Sequence, residues 1–479
     1  MSRTGRAFVS LKNSVEILPP TGKYCGMNLQ PPSASDFNRR DFIRGGSIAT
    51  LMSMLGGVEL RAAEAPKDAP AKSSGPKVKC GVIGLGAWGR EVVGTLQRQA
   101  EAQIVSLCDT YGVMLRRAAT NAPGATAVDD YRKMLEDKSV QAVFVATPTH
   151  LHKDIVIEAL QAGKHVYCEA PLATTVEDAK VIAKAARDAA AQVFQPGLSL
   201  RSDPQRHFLL SFIRTGAIGK DVMVRAQWHK KQSWRFTSAN PDREKEINWR
   251  LSKETSLGLA GEIGIHHFDS MAWLQKALPT AVTGFGNIIH WNDGREVPDT
   301  IQAVLEFPGG VQGMYDATLA NSFDGESEVL LGTDAAVMMR GNKAWLFKEV
   351  DSPLLGWEVY ARKEVFYKET GIALVANASK STGTDENAEV AAYTNTPLAF
   401  ALESFLANVN EVVGAVEDFT ATFDAADKKA LAKHIAGLKM QRAATWKEGL
   451  EATVTAIKTN EAILGAKRIV LQKDWFQLA

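Results

Sequence analysis

A glycine-rich stretch that follows a short apolar run constrains this chain more than any other feature. Val78 to Ile83 is apolar like a buried strand, and Gly84, Gly86 and Gly89 follow it as G-x-G-x-x-G. The first glycine permits a tight turn, the second lets the backbone approach a pyrophosphate, and the third lets the next helix pack close to the sheet. The stretch therefore predicts a strand, a phosphate-binding loop and a helix.

The residues after this loop complete a dinucleotide-binding unit. A helix predicted over 88–100, with Ala87 and Trp88 at its start, directs backbone N–H groups and the positive end of its dipole at phosphates. A second strand ends before Asp109, about 25 residues after the first glycine, where a ribose-binding carboxylate is expected. The alternative is a plain βαβ turn, but the order strand, loop, helix, strand and acid favours a dinucleotide. Because no cation directly follows Asp109, we predict NAD.

Charge and cysteine content argue against a nucleic-acid-binding, disulfide-rich or zinc-binding protein. The 479 residues carry a formal net charge of +1, which does not favour nucleic acid or an anionic membrane as a partner. The four cysteines form no CxxC pair or Cys/His cluster, so we interpret them as buried thiols rather than a disulfide framework or zinc site.

The N-terminal region has the pattern of an export signal. We interpret residues 1–65 as a leader with a twin arginine at Arg39 and Arg40, an apolar run rich in small residues, and an Ala-x-Ala signature ending at Ala65. Residues 66–76 are predicted to be a flexible tether. The alternative is a basic amphipathic helix of the mature protein. The apolar run is too short and glycine-rich for a membrane anchor, so we expect a periplasmic protein.

Strand and helix patterns alternate over residues 77–198. This alternation predicts an α/β Rossmann domain, a doubly wound parallel sheet with crossover helices. Strands are predicted at 78–83, 104–108, 142–146, 165–168 and 193–195, and helices at 88–100, 112–121, 130–137, 150–162 and 176–190.

The pattern changes over residues 199–479. Longer, partly alternating segments without helices between them predict a second α/β domain with a mostly antiparallel sheet, open on one face. These segments are Val222–Trp228, Ala281–Ile289, Thr300–Glu306, Gly310–Ala317 and Glu328–Leu331. Residues 372–396 are polar and predict a surface loop, and residues 398–464 predict C-terminal helices.

Four further motifs resemble one family. They are Ala146–His152, with Thr-Pro-Thr-His-Leu-His at its end, Ala162–Leu172, Gly264–Asp269 and Ala456–Ala462. With the glycine loop they make the chain similar, over roughly residues 77–475, to the Gfo/Idh/MocA oxidoreductases, the family of glucose–fructose oxidoreductase and inositol dehydrogenase.

The resemblance implies a nicotinamide cofactor, a sugar or cyclitol substrate, and a second domain with an open antiparallel sheet. Family members usually carry Glu-Lys-Pro, whose lysine touches substrate and nicotinamide; here the motif reads Glu169-Ala170-Pro171, so the lysine is missing. The family pattern Asp-x-Gly-x-His is represented by Glu262 and His266. We expect a homo-oligomer assembled through the open sheet face.

His266 is the candidate catalytic base. Oxidation of a secondary alcohol needs a group to take the hydroxyl proton, and imidazole titrates near working pH. If 260–274 is one helix, Glu262 shares a face with His266 and orients it, and Asp269 could serve as base instead. Two alternatives are a structural histidine and a metal site of these three residues, which lacks further ligands; we predict no metal.

Candidate cofactor contacts follow the third and fourth strands. Thr147, Pro148, His150 and His152 lie where the carboxyl edge of the sheet is expected, and Glu169 ends the next strand. The alternatives are helix packing for the two histidines and support of the following turn for Glu169.

One aromatic and basic cluster could bind a sugar. It comprises Trp228, His229, Lys230, Trp234 and Arg235. We favour the other interpretation, in which these residues belong to an oligomer face.

These observations predict an exported enzyme that acts on a CH–OH group of a sugar and recycles a tightly held NAD within each cycle. Two alternatives remain open. One is an NAD-dependent glycoside-cleaving enzyme that oxidises, eliminates and reduces. The other is a catalytically inactive, sugar-binding relative, which the missing lysine would suit.

Overall fold

The computed structural model describes residues 76–341, 343–356, 358, 361, 363–366, 369–373, 396–424 and 427–478. The predicted leader and tether therefore lie outside the described residues, apart from Pro76. The same is true of the predicted loop 372–396 apart from its ends.

The first sheet is parallel throughout and has the order β3-β2-β1-β4-β5-β6. Its strands are β1 Val78–Ile83, β2 Ala102–Cys108, β3 Thr126–Val128, β4 Ala142–Val145, β5 His165–Cys168 and β6 Phe194–Pro196. Its helices are α1 Ala87–Leu96, α2 Gly112–Ala119, α3 Tyr131–Glu136, α4 His152–Gln161 and α5 Val176–Asp188. Strands β4 and β5 are buried along their whole length, as expected when helices cover both faces.

The predicted Rossmann sheet is confirmed, with one strand more than the pattern indicated. The additional strand β3 has three residues and lies at the edge, where partial exposure leaves little apolar signal. Helix α1 ends at Leu96, four residues before the predicted end.

The second sheet has ten strands in the order β14-β15-β13-β12-β11-β7-β10-β9-β8-β16. Its strands are β7 Asp221–His229, β8 Ala281–Asn287, β9 Thr300–Glu306, β10 Gln312–Thr318, β11 Glu326–Gly332, β12 Ala335–Arg340, β13 Lys343–Lys348, β14 Lys363–Phe366, β15 Glu369–Ala373 and β16 Arg468–Val470. Only the β7–β10 pair is parallel among the pairs described, so the prediction of a mostly antiparallel sheet is confirmed.

Helices α9 Gly264–Gln275 and α12 Trp446–Gly465 make the main helix contacts with this sheet and pack on one of its faces. The other helices that follow β6 in the chain are α6 Pro204–Phe212, α7 Pro241–Ile247, α8 Gly258–Glu262, α10 Pro397–Thr422 and α11 Lys428–Ala436. The alternation in β9 shows the two faces: Ile301, Ala303 and Leu305 are buried, and the residues between them are partly or fully exposed.

Helix α10 belongs to the Rossmann layer, although the sequence analysis grouped it with the second domain. Phe405 packs edge-on against Phe144, with ring centroids 5.2 Å apart, and Gln195 Nε2 donates to the Ala401 carbonyl at 2.9 Å. Within the described part of the chain, α10 is the helix with the length and hydropathy of a membrane span, by those two criteria alone, and half of that window is buried in the protein.

Helix α12 packs against elements of both domains. Its Gly449 allows close approach, because a Cβ there would lie 3.0 Å from side-chain atoms of Leu172 and Pro196. Four residues further along the helix, the Thr453 hydroxyl accepts the backbone N–H of Leu172 at 3.1 Å. This contact fixes the turn after β5 relative to the second domain.

Candidate active site

The glycine loop has the geometry that phosphate binding requires. Gly84 has φ +88°, and a Cβ on Gly89 would lie 1.8 Å from the Gly84 carbonyl oxygen, so neither position accepts another residue without rearrangement. A Cβ on Gly86 would meet no atom within 4 Å, so open space lies in front of the backbone at the start of α1, which begins at Ala87. The loop fits the pyrophosphate of a dinucleotide.

Asp109 lies beside this loop at the end of β2. Its carboxylate accepts the backbone N–H of Leu85 and that of Tyr111, each at 2.8 Å. These bonds fix the carboxylate while leaving acceptor capacity for ribose hydroxyls.

Glu169 is the most unusual ionisable group at this edge. Burial raises the pKa of its carboxyl to about 7, although hydrogen bonds from the Trp88 side chain and the Ala170 backbone lower it. One carboxyl oxygen, Oε1, is buried and has no hydrogen-bond partner among the residues that the structure describes. A buried polar atom without a partner is costly, so this oxygen is suited to a hydroxyl or amide of a bound cofactor.

Of the two histidines after β4, His152 is buried and His150 is exposed. His152 is buried, with Nε2 2.9 Å from the Thr147 carbonyl and Nδ1 3.0 Å from the Pro171 carbonyl, and burial lowers its pKa to about 4. These contacts match the packing interpretation. His150, after Pro148, is exposed, and its ring centroid lies 6.3 Å from that of Trp249 in the second domain.

The continuous helix expected over 260–274 is broken at Ile263, which has φ −123° and separates α8 from α9. Glycines on both sides weaken helical propensity there. Glu262 therefore does not orient His266. Its carboxylate instead accepts from the Thr149 hydroxyl at 3.3 Å and from Arg250 Nε at 3.3 Å. The Thr149 bond joins the second domain to the edge of the Rossmann sheet.

His266 projects from the first turn of α9 and is partly exposed. Burial lowers the pKa of its imidazole to about 4, with a further lowering by His267 and an opposing effect of Glu328. The described residues provide no hydrogen-bond partner for this ring. The imidazole is therefore neutral at physiological pH and able to accept a proton.

Two other ionisable side chains of α9, those of His267 and Asp269, are bonded to groups outside this helix. His267 is buried and lies 3.0 Å from a Glu328 carboxylate oxygen. Asp269 forms a bidentate pair with Arg201 at 2.9 and 2.7 Å. Among the described residues, no group of three or more His, Cys, Asp or Glu side chains is arranged to hold a metal.

The aromatic and basic cluster singled out from the sequence does not stay together. His229 lies on the open sheet face, with Nε2 2.6 Å from Asp316, and Arg235 pairs with Glu244. Trp234 is buried near Arg250, whose guanidinium carbon lies 5.9 Å from the Trp234 ring centroid.

Trp249 and Arg250 were not among the candidate site residues predicted from the sequence. The Arg250 guanidinium carbon lies 4.8 Å from the ring centroid of Trp249, and its Nε donates to the buried Glu262. An adjacent Trp-Arg pair in a loop was the available signal, but only the fold brings it to the junction with Thr149 and His150.

Comparison with known proteins identifies the class. Residues 78–196 match the oxidoreductase family model described as a GFO/IDH/MocA NAD-binding Rossmann fold, and residues 209–338 match the GFO/IDH/MocA C-terminal domain. Together the two matches span just over half of the chain, which belongs to the Gfo/Idh/MocA oxidoreductase family. The predicted family, its NAD-binding Rossmann domain and the oxidoreductase class are confirmed.

Individual relatives are more distant. A levoglucosan dehydrogenase of Pseudarthrobacter phenanthrenivorans is 28% identical over 213 residues, 40% of this chain and 53% of the relative. The scyllo-inositol 2-dehydrogenase (NAD(+)) of Bacillus subtilis is 26% identical over 268 residues, 55% of this chain and 74% of the relative. The chain thus spans about half the length of the first of these relatives.

Solved structures agree on the fold. A levoglucosan dehydrogenase in complex with NADH has a TM-score of 0.60 at 17% identity and covers 83% of this chain and 99% of its own. At that identity the likeness concerns the fold alone.

Proposed function

We propose that this protein oxidises a CH–OH group of a sugar or sugar derivative, with His266 as proton acceptor. The observation that carries the proposal is the neutral imidazole of His266, for which the described part of the chain provides no hydrogen-bond partner. His266 lies on the helix that follows Glu262, and Glu262 is bonded to Thr149 at the Rossmann edge. Bound NAD would supply the hydride acceptor. The named relatives, a levoglucosan dehydrogenase and an inositol dehydrogenase, support a sugar-like substrate.

The chain's own groups have separate tasks. The His266 imidazole takes the hydroxyl proton while hydride leaves the same carbon, and a carbonyl remains. Asp109 and Oε1 of Glu169 would accept hydrogen bonds from cofactor hydroxyls. The glycine loop and the start of α1 would hold the phosphates.

Tight cofactor retention is the finer part of the proposal. Arg243 on α7, in the second domain, places its guanidinium carbon 4.4 Å from the ring centroid of Tyr111. Tyr111 lies two residues after Asp109, the carboxylate that we predict to bind ribose, so the contact between α7 and Tyr111 would help to retain the adenosine end of the cofactor. An enzyme that keeps its NAD must return the hydride within each cycle.

The test uses NAD bound to the purified protein. Sugars and methyl glycosides are added, and absorbance of the reduced nicotinamide is followed together with product identity. His266→Ala should slow the change by about 100- to 10,000-fold while leaving bound NAD in place. His290→Ala, which removes an exposed imidazole, is the matched control. A loss below tenfold, or loss of the folded state, would favour a structural role for His266.

A second candidate is redox-neutral cleavage of a glycoside, which the absence of the family lysine at Ala170 favours. Oxidation of a hydroxyl to a carbonyl makes the C–H bond on the adjacent carbon acidic. Loss of that proton to a base expels the glycosidic oxygen, which takes up a proton and leaves as the alcohol, and the hydride would then return to the carbonyl carbon. Release of free alcohol from a methyl glycoside without net NADH would support it. A sugar-binding protein without activity would bind sugar with no change in absorbance.

We also propose export to the periplasm by the twin-arginine route, supported by Arg39, Arg40 and the Ala-x-Ala signature. Replacing both arginines with lysine keeps the charge but removes the guanidinium pair. The protein should then remain in the cytoplasm, folded and with NAD bound. An unchanged periplasmic yield would argue for another route.

The open face of the second sheet is proposed to bind a second copy of the chain. Phe285 and Met314 are 56% and 41% exposed on that face; on the strand between them, Gln302 lies opposite Phe285 and Val304 lies opposite Met314. Exposed apolar side chains on a sheet face indicate an interface.

A further inference from the structure

An arginine between two indoles lies where the second domain meets the edge of the Rossmann sheet. We name Trp234, Trp249 and Arg250 the arginine–indole cluster. The guanidinium carbon of Arg250 is 4.8 Å from one indole centroid and 5.9 Å from the other. The exposed His150 of the Rossmann domain lies against Trp249, with 6.3 Å between ring centroids. The cluster therefore borders the site where substrate must meet cofactor.

Arg250 uses only one edge of its guanidinium within the protein. Nε donates to Glu262 at 3.3 Å, and the described residues provide no hydrogen-bond partner for Nη1 or Nη2. The side chain is 38% exposed, whereas that of Glu262 is only 5% exposed. One edge is thus bonded to Glu262, and the outer edge with its two Nη groups is available to a ligand.

The anchor is rigid. Glu262 also accepts from Thr149 at 3.3 Å, and the Trp249 carbonyl accepts from the Thr255 hydroxyl at 2.6 Å. A guanidinium fixed in this way loses little conformational freedom when it binds a ligand. Its planar outer edge matches the two oxygens of a carboxylate.

We infer that the arginine–indole cluster is a subsite for a carboxylate on the substrate, so that the sugar is a hexuronic acid or a glycoside containing one. The partly exposed indole of Trp249 packs against the C–H groups of a pyranose ring, and Arg250 binds its carboxylate in a bidentate manner. This inference rests on the proposed function, since it names the substrate class of the same site.

The test compares matched sugars on the NAD-loaded protein. Dissociation constants for D-glucuronate and D-galacturonate, and for their methyl glycosides, are measured by calorimetry against the corresponding neutral sugars. The acids should bind about tenfold more tightly or better, and Arg250→Gln should remove the preference. Arg250→Lys keeps a charge beside Glu262 but lacks the fork, so it should fold and retain only part of the preference. Arg98→Gln, at a surface arginine, should change nothing.

The outcomes separate this inference from the proposed function. Equal binding of acid and neutral sugars, equal weakening of both by Arg250→Gln, or binding of none of these sugars would overturn the carboxylate subsite. A redox change of bound NAD with neutral sugars would then leave the proposed function standing. Selective binding of the acids without any redox change would support the subsite and contradict the oxidoreductase proposal.

Discussion

Single residues at this site differ from their ordinary solution behaviour because of burial. Imidazole bases such as His266 are held neutral, and the Glu169 carboxyl is held near its midpoint at neutral pH. These shifts couple the chemistry of the site to the stability of the fold.

The pH dependence of stability follows from the buried histidines. Burial lowers the pKa values of His152, His165 and His266 to about 4, below the ordinary value of about 6.5. Between these values the unfolded chain binds more protons, so the stability they contribute is present above pH 6.5 and is lost as the pH falls toward 4. Each such proton contributes a slope of about 1.4 kcal/mol per pH unit. The raised pKa of Glu169 acts in the opposite direction between pH 4.5 and 7.

Measuring the free energy of unfolding in urea from pH 7 to 4.5 tests this expectation. His152→Gln should lower this slope by about 1.4 kcal/mol per pH unit, which is the contribution of one proton. An unchanged slope in His152→Gln would contradict a neutral, buried His152.

Ala170 stands where the family resemblance implies a lysine. It is partly buried against the apolar core of the second domain. We expect Ala170→Lys to weaken substrate binding and create no new dehydrogenase activity, because an ammonium would enter a space shaped for other groups. Ala170→Met, of similar length without charge, separates the effect of volume from that of charge. New oxidation of a free sugar without loss of any native reaction would favour a decayed dehydrogenase.

At the scale of elements, two short segments of the second domain contact the Rossmann domain beside the proposed cofactor site. Helix α7 reaches Tyr111, and the loop with Trp249 and Arg250 reaches the edge beside Thr149. The loop is in turn fixed by residues 289–299, where Asp299 accepts the backbone N–H groups of three successive residues and the N–H of Glu296 donates to the Leu251 carbonyl at 2.7 Å.

Removing the contact between α7 and Tyr111 should loosen the cofactor. Arg243→Ala loses a cation–π interaction of about 0.5–1 kcal/mol, so NAD should dissociate about two- to fivefold faster. The rate is measured by exchange of bound NAD with isotope-labelled NAD, which needs no turnover. Lys245→Ala, at an exposed position on the same helix, is the control. An unchanged rate in Arg243→Ala would show that α7 does not retain the cofactor.

At the scale of the whole molecule, helices cover one face of the second sheet, and the contact with a second copy is proposed on the other face. A double change of Phe285 and Met314 to Asp should place charges in the proposed interface and shift the protein to a smaller species in sedimentation. Gln302→Asp, at a polar residue directly opposite Phe285 on β9, should have a weaker effect. If the unchanged protein already sediments as a monomer, the proposed interface on the open sheet face is wrong.

The sequence determined the features that depend on a few consecutive residues. The strand–glycine–helix unit needs particular backbone conformations at Gly84 and Gly89, and alternation of buried and exposed residues follows from strand geometry. The doubly wound sheet, the open second sheet and the family motifs were therefore predictable. Strand β3 was not, because three edge residues carry too weak a pattern.

The tertiary structure decided which distant side chains meet. Glu262 bonds Thr149, 113 residues away in the chain, rather than orienting His266, because the helix breaks between them. Helix α10 packs on the Rossmann sheet although it follows the whole second sheet in sequence. Charge states at the site were likewise beyond local patterns, because desolvation depends on how completely the folded chain surrounds each group.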